Sequence, residues 1–192
     1  MAEFTRVPDV HARAARAERI LDAAAELLLR WGYKRVTVDD VAAQAGVGKG
    51  TIYLHWQTRE ALFYAVIARD MAAAVDELVA AVRDNPEAAM PSLLMSEFFL
   101  VVMRRPLVRA LFVSDLEILG KLAKGADQAL EAQQDEAFYH YLRVLAEHGL
   151  VRTDLADDEL FYAFGATVAG FFLTDALGSE QIRLTPERKA AL

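Results

Sequence analysis

Cysteine is absent from all 192 residues, which excludes disulfides, thiolate metal sites and cysteine nucleophiles outright and fits a reducing compartment. Proline is scarce, with five in the chain, and neither strand-like alternation, internal repeat nor low-complexity tract is found. Long apolar runs are missing too. The longest, FFLVVM (98–103) and FGATVAGFFL (164–173), fall well short of the roughly 20 residues a spanning helix needs. The run LDAAAELLLRWG carries Asp22 and Glu26 and lacks a signal-peptide layout. These absences predict a soluble, cytoplasmic protein with no membrane partner. The 55% hydrophobic content argues for a folded, mostly helical body with ample length to bury a core.

The net charge of −7 disfavours a polyanion partner until the chain is divided. Residues 1–70 hold ten Lys/Arg against nine Asp/Glu, and residues 71–192 hold eleven against nineteen. The acidity therefore belongs to the C-terminal part. Only the N-terminal part suits a nucleic acid.

Helical periodicity runs from about Ala12 to Trp31, with Ile20, Ala24, Leu27, Leu28 and Trp31 on one face and Gly32 as the stop. Thr37 then reads as an N-cap and Asp40 as its capping-box partner. Gly46 suits the left-handed residue that ends a helix, and a second short helix is predicted from Lys49 to Trp56. A helix that short is marginal alone, so it needs packing from Ile52 and Trp56 against Val41, Ala45, Leu27 and Trp31. The opposite side, with Gly50, Thr51 and Leu54 flanked by Lys49, Tyr53 and His55, is then left outward. Cations, hydroxyls and a glycine on one face suit a helix entering the DNA major groove, as in a helix-turn-helix. Leu54 either contacts a thymine methyl or turns back onto the small core. Arg13, Arg16 and Arg19 either add phosphate contacts or form an ordinary solvated face.

Thr58 caps a predicted rod of about 26 residues ending at DNP, about 39 Å long at 1.5 Å per residue. Beyond it the periodicity predicts helices over 91–104, 106–122, 127–148 and 157–177. The class is all-α.

The run AGVGKGTIYLHW followed by QTREAL resembles the TetR family of transcriptional regulators, over about residues 16–65. Two positions depart from the family pattern: Gly48 stands where serine is usual, and Trp56 replaces phenylalanine. The resemblance implies a three-helix DNA-binding head at 1–57, and a larger helical effector-binding and dimerisation domain at 58–192. It implies phosphate or sugar contacts from Thr37, Lys49, Thr51, Tyr53, His55 and Arg59, with Gly50 admitting the DNA backbone. It also implies a repressor that binds a palindromic double-stranded operator as a homodimer and responds to a small apolar effector.

Met95, Phe98, Phe99, Met103, Phe112 and Leu116 are candidates to line the effector pocket, or else plain core. Ala163, Ala166, Gly170 and Phe171 are candidates for the dimer interface, or else core of one subunit. No cofactor or metal is expected. His140 with Glu136, followed by Glu147 and His148, offers no evident third ligand. The segment GVGKGT lacks the Walker spacing, and the serines lack a nucleophile-elbow context. A helical enzyme and a protein–protein adaptor are the rival readings. Neither predicts salt-dependent retention of duplex DNA.

Overall fold

A computed structural model describes residues 10–112, 128–177 and 184–191. Among these, every regular element is helical. The first, α1 (Val10–Trp31), buries Ile20, Ala24, Leu27 and Leu28 as its period requires. Trp31 departs from the expected core set. It remains 38% exposed, with the Arg30 guanidinium 5.7 Å from its ring centroid. The helix ends at Trp31, and Gly32 adopts a positive φ of 71° beside it, so the last side chain of the apolar stripe stands at the edge of the packed surface.

Local chemistry sets the next two elements. In α2 (Val38–Ala45), Thr37 accepts from the Asp40 amide and the Asp40 side chain accepts from the Thr37 amide, satisfying two donors that a helix start leaves unpaired. Gly46 closes α2 at φ 65°, ψ 38° and donates its N–H to the last turn. The following helix, α3 (Lys49–Tyr53), is five residues long rather than running on to Trp56. The His55 amide donates to the Ile52 carbonyl at 2.9 Å in an i→i−3 bond, tightening the end of the helix. Just beyond it the half-buried Trp56 packs against the core.

The predicted rod is α4 (Arg59–Asp84), capped by Thr58. Its first turns, with Leu62, Phe63, Val66 and Ile67, complete the head core around Ile20, Leu28, Val41 and Ile52. A 3-10 turn (Pro86–Ala89) leads to α5 (Pro91–Arg104) and α6 (Pro106–Phe112). The expected continuation of α6 to 122 lies outside the described residues. Two long helices, α7 (Gln128–Glu147) and α8 (Asp157–Leu177), lie where helices were predicted, residue 127 falling outside the described residues, and a short α9 (Pro186–Ala190) was not anticipated.

Helix α6 belongs to two cores at once. Leu107 and Ala110 pack into the head, whereas Val108 joins Ala74, Phe99, Val102 and Phe172 in a second cluster. Arg105 fastens the α5–α6 junction to α4, donating to Glu77 at 3.1 Å and to the Ala73 carbonyl at 3.3 Å. Arg69 ties α4 to α1 through Glu18 and Asp22, at 2.9 and 2.8 Å. Among the described residues no helix is long and apolar enough to cross a membrane.

A methyl group at Gly46 would meet nothing within 4 Å, so a side chain there costs conformational strain alone. Gly46→Ala should lower the unfolding free energy by about 1–2 kcal/mol, and Gly46→Asn by less. Urea denaturation of the two variants checks this, and equal losses would remove the left-handed explanation.

Candidate nucleic-acid interface

The outward surface of α2 and α3 is built from what α3 does not bury. Ile52, 1% exposed, is the single buried residue of that helix and holds it against α1, α2 and α4. Around it Lys49, Gly50 and Tyr53 are exposed and Thr51 is half-buried. Leu54 is 78% exposed, which settles its orientation: it points away from the core. Gly48 stands at the N-cap with no side-chain hydrogen bond to the helix.

Other expected contact residues are already engaged within the chain. Thr37 is exposed, but its hydroxyl donates to Asp40 Oδ2 at 2.6 Å and is part of the α2 cap. Lys49 donates to Asp39 Oδ2 at 2.8 Å. His55 lies with its ring 5.2 Å from that of Trp56. Burial, and then the positive charges of Arg13 and Arg16, hold its pKa below the ordinary value. Arg13 and Arg16 on α1 are therefore near enough to act electrostatically on His55, just past α3, which helical spacing does not reveal.

Arg59 departs most from expectation. Its Nε donates to the Val36 carbonyl at 3.0 Å, and its terminal nitrogen donates to the Tyr33 carbonyl. The guanidinium lies 3.9 Å from the Tyr33 ring centroid and 5.2 Å from that of Phe63. Tyr33 in turn donates from its hydroxyl to Glu60 at 3.0 Å. The side chain faces inward and braces the turn between α1 and α2 against the start of α4.

In the body, a cavity of about 250 Å³ opens between α5, α8 and α9. Met95, Phe98 and Phe99 line it, with Phe171, Phe172 and Lys189. Met103 and Phe112 do not: they pack beside it in the second core cluster. Leu116 lies outside the described residues. Ser96 donates to the Ala190 carbonyl at 2.5 Å, fixing α9 as one wall.

Of the residues singled out for an interface between copies, Ala163, Ala166 and Gly170 are exposed on α8. Phe171 is exposed as well, at 46%, while it also lines the cavity with its ring 6.3 Å from that of Phe99. Glu136, considered above as a metal ligand, pairs with Arg143 at 3.0 Å.

Residues 20–66 match the family model described as bacterial regulatory proteins, tetR family. Over 65 residues the chain is 40% identical to an uncharacterized HTH-type transcriptional regulator of Bacillus subtilis, YhgD. That match covers 32% of this chain and 34% of the relative, so it spans about a third of YhgD's length. The HTH-type transcriptional repressor BepR of Brucella suis is 26% identical over 161 residues, covering 80% of this chain and 77% of the relative.

Among solved structures, the transcriptional regulator FadR from Bacillus subtilis in complex with stearoyl-CoA superposes with a TM-score of 0.68. It is 18% identical, with 91% of each chain covered. AibR in complex with isovaleryl coenzyme A and operator DNA gives a TM-score of 0.63 at 21% identity, covering 91% of this chain and 94% of that one.

Two charge-assisted hydrogen bonds and an aromatic stack give Arg59 a stabilising role. Arg59→Met should cost about 1.5–3 kcal/mol of stability, read as a lower denaturation midpoint. A residue serving only as a phosphate contact would leave the midpoint unchanged.

Proposed function

We infer the function of this chain as that of a member of the tetR family of bacterial regulatory proteins: it is a DNA-binding transcriptional regulator, and we propose that it acts as a ligand-responsive repressor. The observation that carries the reading is the construction of α3. A five-residue helix that buries only Ile52 leaves Lys49, Gly50 and Tyr53 exposed at the surface. Gly50 sharpens the point, because a methyl group there would meet nothing within 4 Å. The fold itself does not require glycine at that position, whereas close approach of a DNA backbone does.

The proposed contact set is Thr37, Lys49, Gly50, Thr51, Tyr53, Leu54 and His55, joined by Arg13 and Arg16. Phosphates take the cations and hydroxyls. Leu54, apolar and outward, suits a thymine methyl. Arg59 leaves the set, since its guanidinium is turned inward.

A second copy of the chain completes the reader in this proposal. Between Leu160 and Leu173 helix α8 carries no charged residue, a pattern that belongs to buried helices, yet Tyr162 is 77% exposed and Ala163, Gly165, Ala166 and Gly170 are open as well. Beside them Phe138, Tyr139, Phe161 and Phe164 form a half-buried aromatic group. Small residues admit a close helix, and aromatic rings supply the apolar area. Two heads would then read half-sites about 34–36 Å apart. The division into a head at 1–57 and a body from 58 fits this arrangement, with α4 shared between the two.

The effector belongs in the cavity. The two solved neighbours carry stearoyl-CoA and isovaleryl coenzyme A, and a phenylalanine-lined space of about 250 Å³ favours a short acyl thioester. Occupancy would reach the head by α5 and α6. The Arg105 clamp carries it to α4, and the two-sided packing of α6 carries it to the head core. Release of DNA follows if the ligand prefers the arrangement that DNA disfavours, with coupling typically of about 1–3 kcal/mol.

Two experiments test these readings. Selection from a random duplex pool should return an inverted repeat with an A·T pair where Leu54 docks. Gly50→Ala should weaken retention of that duplex while stabilising the fold by about 0.5–1 kcal/mol; undiminished retention would remove the close-approach argument. Separately, a short-chain acyl-CoA should raise the melting temperature and reduce operator affinity roughly 5- to 150-fold. Met95→Trp, which fills the cavity, should lose both responses. A ligand that shifts melting yet leaves operator binding untouched would end the effector proposal.

A further inference from the structure

One ion pair joins α2 and α3 across the Gly46 bend. The Lys49 ammonium donates to Asp39 Oδ2 at 2.8 Å, with the two side chains 49% and 67% exposed. Neighbouring Asp40 is consumed by the α2 cap. Asp39 caps nothing, and its carboxylate meets Lys49 on the outward surface described above. A negative charge at that position opposes what a phosphate-binding surface needs; the first turn of α2 favours an anion there, but it does not require contact with the cation of the reading helix.

We propose that Asp39 is a specificity-determining residue: it neutralises Lys49 until a duplex docks closely enough to put a phosphate within reach of the same ammonium. The proposal rests on the DNA reading given above. An ammonium carries three N–H donors, so Lys49 can keep Asp39 and still donate to a phosphate that arrives in register. A loosely held duplex offers no such hydrogen bond. It meets a cancelled charge and a repelling carboxylate. Non-specific binding is almost wholly electrostatic, so the penalty falls on it most heavily. The operator complex, with contacts to base edges in addition, loses proportionately less.

The test measures affinity for a random duplex and for the selected operator across a salt series. Asp39→Asn should tighten random-duplex binding roughly two- to fivefold at low salt. It should also steepen the slope of log affinity against log salt by about 0.9, the contribution of one further phosphate. The operator should gain less, so the ratio of specific to random affinity falls. Asp39→Glu keeps the charge and should behave as wild type. In a Lys49→Gln background the effect of Asp39→Asn should largely vanish, which assigns it to the pair. Thermal melting of each variant confirms that the head is folded.

Unchanged random-duplex affinity and slope in Asp39→Asn would overturn the inference, as would equal gains for operator and random DNA. A wild-type chain that retains no duplex at any salt is a different result. It would remove the DNA reading itself, and this inference with it.

Discussion

One inward-turned cation ties together the elements that frame α3. Arg59, the first residue of α4, donates to backbone carbonyls of the turn between α1 and α2 and lies against the rings of Tyr33 and Phe63. A carbonyl in a turn lacks the partner that a helix interior would supply, so a part-buried guanidinium with several donors in a fixed fork answers that need. The stack over Tyr33 adds a contact that lysine could not reproduce. The result fixes where α4 begins relative to α1 and α2. Since α3 has only Ile52 to anchor it, its orientation is inherited from that frame.

The same economy joins the head to the body. Within the described part of α6, residues 107 and 110 face one core while 108 faces the other. Packed interiors transmit displacement because they have few voids to absorb it. Arg105 adds a polar tether at the entrance to α6, reaching Glu77 and Asp70 on α4. A cavity wall on α5 and a head core on α1 are thus connected by contiguous packing. This is a physical route, and its energetic coupling is a separate quantity.

Much of the architecture was legible because it is written in local chemistry. Thr37 and Asp40, the Gly46 stop, the Thr58 cap and the apolar stripes of the long helices each depend on residues within a turn or two of one another. What escaped depends on distance in the chain. Trp31 continued the α1 stripe, but periodicity cannot say where the neighbouring helices cease to cover it. The spacing of Ile52 and Trp56 suggested one continuous helix, whereas the helix ends at Tyr53 and the tryptophan packs against the core from beyond it. Arg59 was indistinguishable from an outward arginine until Tyr33, 26 residues earlier, was seen beneath it. In the body, Met103 and Phe112 are of the same residue types as Met95 and Phe98. Which of them pack and which line a cavity depends on α9, whose LTPERKAA segment carries too short a pattern to read. Phe171 both lines the cavity beside Phe99 and stays partly exposed, a double placement that its position in α8 could not reveal.

Gly48 bears on dynamics. A serine there would have held an α3 amide in place; glycine leaves the opening turn secured by backbone contacts and one buried isoleucine. Segments with few apolar anchors open at far smaller free energies than the body around them. Amide exchange at residues 49–53 is therefore expected to proceed through local fraying rather than through global unfolding. Part of whatever association energy the head gains must go into stilling that turn.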